Sequence, residues 1–236
     1  MSFRLQKEFK PVDSIFQVLS TVSRRNDGHF PWQSLCYLEG NVTKCKKSMN
    51  ESELQMLEPK EQVGLVVVIT GHGKGKTTSA LGTIVRAVGH GLRVCLVQFM
   101  KGDMYAGEID GLKKLAPYVE HHLIGKGFVG LKGDPVPPAE HRAHAQEAIK
   151  LAEEKMLSGE FDILICDEIN NALKLKLVDL PQVLDLIQNK PALMHLVLTG
   201  RDAHPKVIQR AHTVSIVQEM KHAYRERIAP QKGIDY

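Results

Sequence analysis

Between residue 63 and the end of the chain, short uninterrupted apolar runs alternate with longer segments in which apolar residues recur every third or fourth position. A run that is apolar throughout suits a strand covered on both faces, and the longer segments suit helices. The pattern predicts strands at Val63 to Thr70, Arg93 to Phe99, Val119 to Ile124, Phe161 to Cys166, His195 to Thr199 and Thr213 to Glu219. Helices are predicted to begin near Lys76, Ile109, Pro138, Leu180 and His204, with Gly89, Gly91 and Gly159 as stops. Such alternation argues an α/β fold: an open, mostly parallel sheet of about six strands with helices on both faces.

Residues 1 to about 60 have a different texture. A short helix is expected from Asp13 to Val22, followed by polar text containing Trp32, Cys36 and Cys45. The boundary is placed near Pro59 to Val63, giving an N-terminal extension over 1–60 and an α/β domain over 61–236. No internal repeat or low-complexity tract is evident.

Composition narrows the class without naming a function. The 236 residues are 43% hydrophobic and 25% charged, ordinary for a globular protein. A net charge of +4, with basic residues dispersed, gives no argument for a nucleic-acid partner. Nowhere do about 18 apolar residues follow one another, and no charged segment leads into an apolar one at the start. Neither a signal peptide nor a membrane partner is indicated, and a cytoplasmic location is expected. Cys95 and Cys166 lie within apolar runs and suit free core thiols. The sequons at Asn41 and Asn50 are attributed to chance.

The chemistry concentrates at strand ends. VVVITGHGKGKTTSA, from Val66 to Ala80, joins a strand to a helix through a glycine-rich loop one residue shorter than the usual phosphate loop. Glycines let backbone N–H groups turn inward, and the helix N-terminus adds partial positive charge, so a polyphosphate fits. Lys76 is expected to reach phosphate oxygens and Thr77 to hold Mg²⁺ through its hydroxyl. Asp167 and Glu168 close an apolar strand and are candidate partners of the same cation. Arg201, in Leu198-Thr-Gly-Arg201, ends another strand, with phosphate contact or a local structural pairing both open to it. The loop Gly125 to Gly133, with Phe128, reads as a lid, a substrate wall or a simple connection. His141 and His144 share one face of a predicted helix, without a third ligand in view. No hydrolytic triad, nucleophilic cysteine motif or metal-hydrolase motif is present. The residues alone thus describe a protein that binds Mg²⁺ and a nucleoside triphosphate.

Four stretches together add a resemblance: Thr70 to Gly102, Phe161 to Leu173, Leu196 to Ile208 and Met220 to Tyr236. They resemble the ATP:corrinoid adenosyltransferases, from about Gly64 onward, and do not cover the first 50 or so residues. The resemblance implies a P-loop NTPase fold of the RecA-like kind. It implies transfer of the 5'-deoxyadenosyl group of ATP to Co(I) of a reduced corrinoid, with triphosphate leaving and ATP seated in reverse. It also implies roles. Gly71, Gly73, Gly75, Lys76 and Thr77 match the nucleotide loop, Thr78 extends it, Glu168 matches the metal-binding acid and Phe128 an aromatic beside the corrin. Taken with the reading of the residues, the nucleotide-binding set adds His72, Lys74 and Arg201, the metal set is Thr77, Glu168 and Asp167, and Lys76, Thr77 and Glu168 are the catalytic candidates. Many relatives carry a tryptophan where this chain has Gly130, which leaves the corrinoid preferred open. A flavoprotein-type reductant supplying Co(I) and a homodimer are expected. Residues 1–48 are expected to be dispensable, with Met49 an alternative start. The competing expectations are a P-loop ATPase and a small-molecule kinase.

Overall fold

The structure, a computed structural model, describes residues 61–102, 105–127, 129 and 135–236. The expected helix from Asp13 to Val22, Trp32, Cys36, Cys45, Asn41, Asn50, Met49, Phe128 and Gly130 lie outside the described residues.

Six strands form one sheet in the order β3-β2-β4-β5-β1-β6, and every pairing is parallel. They are β1 (Val66–Thr70), β2 (Val94–Gln98), β3 (Val119–Leu123), β4 (Ile163–Asp167), β5 (His195–Thr199) and β6 (Thr213–Ile216). All six predicted strands are present, with ends within three residues of those expected. The helices are α1 (Lys76–Gly89), α2 (Gly107–Lys113), α3 (Pro138–Leu157), α4 (Ile169–Lys174), α5 (Leu180–Gln188) and α6 (Pro205–Arg210). Five begin within two residues of the expected start, and α4 was not foreseen. A 3-10 turn, Ala223–Glu226, lies in the closing segment.

Parallel strands buried on both faces must send alternate side chains to two separate cores, because successive side chains in a strand point to opposite sides. Val68, Cys95, Val97, Leu164, Cys166 and Leu198 pack against α3, α4, α5 and α6 on one face. Ile69, Val94, Leu96, Ile163, Ile165 and Val197 pack against α1 and α2 on the other. Each such side chain contributes about 1.5–3 kcal/mol when fully buried. The long helix α3 starts on Pro138 and turns Ala145, Ala148, Ala152 and Met156 inward, the three alanines letting it lie close to the sheet. His141 is buried on that same face, while His144 lies beside Glu140 and Glu147 at 3.9 and 3.6 Å. The two histidines therefore do not form a metal pair. Both core thiols are free and buried, and burial pushes the pKa of Cys95 up to about 12 and raises that of Cys166 as well. No described helix is long and apolar enough to cross a membrane.

In this topology every strand points the same way, so all C-terminal ends meet at one edge. The loops after β1, β2, β4 and β5 converge there, which gathers residues far apart in sequence into one site.

Candidate active site

The loop after β1 owes its shape to the edge strand beside it. Gly71 adopts φ 104, and a Cβ there would fall 2.4 Å from the Val217 carbonyl oxygen just beyond β6. The Gly73 amide donates to that same carbonyl at 2.8 Å. Gly75 caps α1 at φ 118 and offers no side chain, so the first-turn N–H groups of α1 have no side-chain acceptor. No acidic residue lies in that turn, so the positive end of the helix is turned toward the cavity with no carboxylate of its own beside it. Gly71→Ala is expected to cost about 1–3 kcal/mol of loop strain. Its larger effect should be on binding: thermal unfolding is expected to shift modestly, while titration with ATP loses most of its affinity.

Lys76 and Thr77 stand at the mouth of this loop. The Lys76 ammonium donates to the Gly73 carbonyl at 2.8 Å and is 7% exposed. Burial lowers its proton affinity, Glu168 opposes that effect and the nearby Arg201 adds to it. A cation held back from water in this way gains from an arriving anion. The Thr77 hydroxyl donates to Asp167 at 3.1 Å, joining α1 to the end of β4.

The two acids predicted as metal ligands have different surroundings. Asp167 is fully buried and accepts from Thr199 Oγ1 at 2.5 Å, Gln98 Nε2 at 2.9 Å and Thr77. Its neighbour Glu168 is held in the left-handed region at φ 65, with its amide donating to Thr199 Oγ1 at 2.9 Å. Glu168 Oε2 is buried and has no hydrogen-bond partner. Burial, and then the charge of Asp167, raise the carboxyl above its ordinary range. No group of three or more His, Cys, Asp or Glu among the described residues is placed to hold a metal. A hard cation here would take most of its oxygens from a ligand's phosphates and water.

Lys76, Thr77 and Glu168 border a cavity of about 450 Å³, within the range of small-molecule sites. Lys74, Gly75 and Thr78 line it with them. Gly71, His72, Gly73, Arg201 and the fully buried Asp167 are not in its wall. The two glycines shape the loop, and His72 instead pairs with Asp202 at 3.1 Å. Arg201 is exposed, with its amide donating to Asn171 Oδ1 at 2.5 Å, and it acts on Lys76 and Glu168 through its charge.

Other wall residues were missed by sequence reasoning. Ile234, Asp235 and Tyr236 border the cavity opposite the loop, and Asp235 pairs with Lys74 at 2.7 Å. Lys101 and Glu108, themselves an ion pair, line it too. Two buried polar residues stand behind the wall, Gln98 and Thr199. The signal available for those two was a polar residue closing an apolar strand run. A second cavity of about 460 Å³ opens at the end of β3, lined by Gly102, Tyr105, Gly125, Lys126 and His144 among others.

Comparison with known proteins supplies the identity that geometry leaves open. Residues 62–236 match the model of the family described as ATP:corrinoid adenosyltransferase BtuR/CobO/CobP. The chain belongs to the ATP:corrinoid adenosyltransferase family. A corrinoid adenosyltransferase of Pseudomonas aeruginosa is 36% identical over 182 residues, which is 77% of this chain and 88% of that one. One from Escherichia coli K12 is 32% identical over 184 residues, 78% of this chain and 91% of the relative. Among solved structures, the flagellar accessory protein FlaH of Methanocaldococcus jannaschii matches 66% of this chain and 71% of its own, at 12% identity. Its TM-score is 0.42, too low to bear on function. Family membership accounts for a nucleotide-type loop in a site without a hydrolytic triad.

Proposed function

We propose that this chain transfers the 5'-deoxyadenosyl group of ATP to Co(I) of a reduced corrinoid. A cobalt–carbon bond forms as the bond between C5' and its oxygen breaks, and the electron pair leaves with triphosphate. The observation that carries the proposal is membership of the adenosyltransferase family across residues 62–236. The site agrees with it. Co(I) is a strong nucleophile and needs no base, so the protein's task is to hold C5' near cobalt and to stabilise the departing charge. Lys76 and the open N–H groups of α1 suit that charge.

The residues present also fit Mg²⁺: Glu168 Oε2 is a buried oxygen without a partner, and the Thr77 hydroxyl borders the same cavity. Glu168 and Thr77 would hold the cation, with Asp167 behind them fixing Thr77. When bound, it would neutralise phosphate charge. The corrinoid is assigned to the side of the Gly125 loop, where the second cavity lies and where resemblance puts Phe128. A cytoplasmic location, read from the sequence, completes the proposal, together with a homodimer and a flavoprotein-type reductant that rest on resemblance.

The test is incubation with ATP, Mg²⁺ and chemically reduced corrinoid under anaerobic conditions. The expected result is inorganic triphosphate and a light-sensitive cobalt–carbon product in equal amounts. Consumption of ATP only to ADP would make the chain an ATPase or kinase and overturn the proposal.

A further inference from the structure

We infer that Gln98, held in place by His121, is a positioning residue for the cation-bound nucleotide. It orients Asp167 and, through Asp167, the Thr77 hydroxyl. This rests on reading the first cavity as an ATP site.

Gln98 ends β2 in register with Asp167 on β4 and is fully buried. Its amide is used at both ends: Nε2 meets Asp167 Oδ2 at 2.9 Å, and Oε1 meets His121 Nε2 at 2.8 Å. The assignment is forced by chemistry. Turning the amide over would set its oxygen against a carboxylate oxygen, two acceptors facing each other in a buried place. His121 Nε2 must then carry a proton and donate it to Gln98.

With Thr199 Oγ1 donating to Asp167 at 2.5 Å, the chain of bonds runs His121, Gln98, Asp167, Thr199 across β3, β2, β4 and β5, which are neighbours in the sheet. The rest of β2 is Val94-Cys-Leu-Val97, all buried and apolar, so an aliphatic residue would satisfy the core at position 98 without needing partners. A glutamine there has a use only through what it bonds. Without it, Asp167 Oδ2 keeps only the Thr77 hydroxyl at 3.3 Å among its described partners, and the carboxylate is held firmly at Oδ1 alone, by Thr199.

The main chain of Gln98 has a separate duty. Its carbonyl accepts from the amides of Ile124 and Gly125, at 3.3 and 3.4 Å, where the glycine loop leaves β3 and lines the second cavity. Substituting the side chain spares those contacts. A positioning role therefore predicts a change confined to the nucleotide side, whereas general disruption of the edge would weaken both ligands.

Calorimetric titration of the full chain with ATP, with Mg²⁺ and then with EDTA, tests this. Gln98→Leu is expected to weaken Mg²⁺-dependent ATP binding about 10-fold, the scale seen when a group behind a metal ligand is removed. ATP binding in EDTA and the KM for corrinoid are expected to stay within about twofold of the parent. His121→Phe should shift binding in the same direction, and His121→Gln, which keeps an N–H donor, should restore it. Should Gln98→Leu fail to fold, the His121 pair on the partly exposed edge strand carries the same comparison. Equal binding by parent and folded variants overturns the inference alone, as does a loss that is the same with and without Mg²⁺. A parent chain that binds no ATP overturns the reading of the cavity and the inference with it.

Discussion

Lys76→Ala is expected to lower turnover about 100-fold to 1,000-fold, the scale of losing one preorganised group that stabilises developing charge. Among the described residues the ammonium hydrogen-bonds to a carbonyl of its own loop at 2.8 Å, and burial weakens its hold on the proton. It is thus poorly solvated before the triphosphate arrives, and phosphate oxygens offer it a better partner. Because the attacking cobalt needs no activation, charge on the leaving group is where a side chain gains most. The loss should therefore appear in kcat as well as KM. Arginine is not expected to substitute, since its planar fork cannot occupy a pocket shaped for a point charge. Anaerobic single-turnover assays on protein with an unchanged melting temperature give the measurement. A rate within about threefold of the parent, far short of the loss of one such group, would remove Lys76 from the mechanism.

Glu168→Gln should separate function from stability. One carboxylate oxygen is buried without a partner, and the pKa is raised by burial and by Asp167. A raised carboxyl pKa means the folded state disfavours the charged form, so the penalty is present at neutral pH and fades as pH falls through the raised value. Without ligand, the Glu168→Gln variant is accordingly expected to be more stable than the parent at neutral pH, by about 1 kcal/mol. That advantage should shrink on acidification. Turnover should fall about 10-fold to 100-fold, with Mg²⁺ losing its effect. Melting curves across pH together with Mg²⁺ titrations of the rate check both halves. A variant that is less stable at every pH would show that Glu168 serves the fold instead.

What the sequence made readable, and what it hid, follows from the range of the interactions. The strands were readable because both faces of β2 and β4 are covered, leaving unbroken apolar text. Their ends were not, because Val63 and Leu65 are apolar yet partly exposed beyond the pairing. Helix α4 escaped notice: Ile169–Lys174 is six residues long with two asparagines, too short to display a period. The loop from Gly71 to Thr78 and the acids at 167 and 168 were visible because neighbours in sequence form each motif. The division of labour between Asp167 and Glu168 was invisible, since it depends on Gln98 and Thr199 arriving from β2 and β5. The Lys74–Asp235 contact was hidden for the same reason, as it joins the first loop of the domain to its last residues.

The support that β6 gives to the glycine loop also bears on when the site comes into being. The loop follows the first strand of the domain, but Val217 and Gln218, against which Gly71 and Gly73 rest, follow its last. A chain emerging from the ribosome displays the whole motif long before it holds the strand that gives the motif its curvature. The loop's full set of contacts therefore exists only once β6 is in place, so the first motif of the domain depends on its last strand.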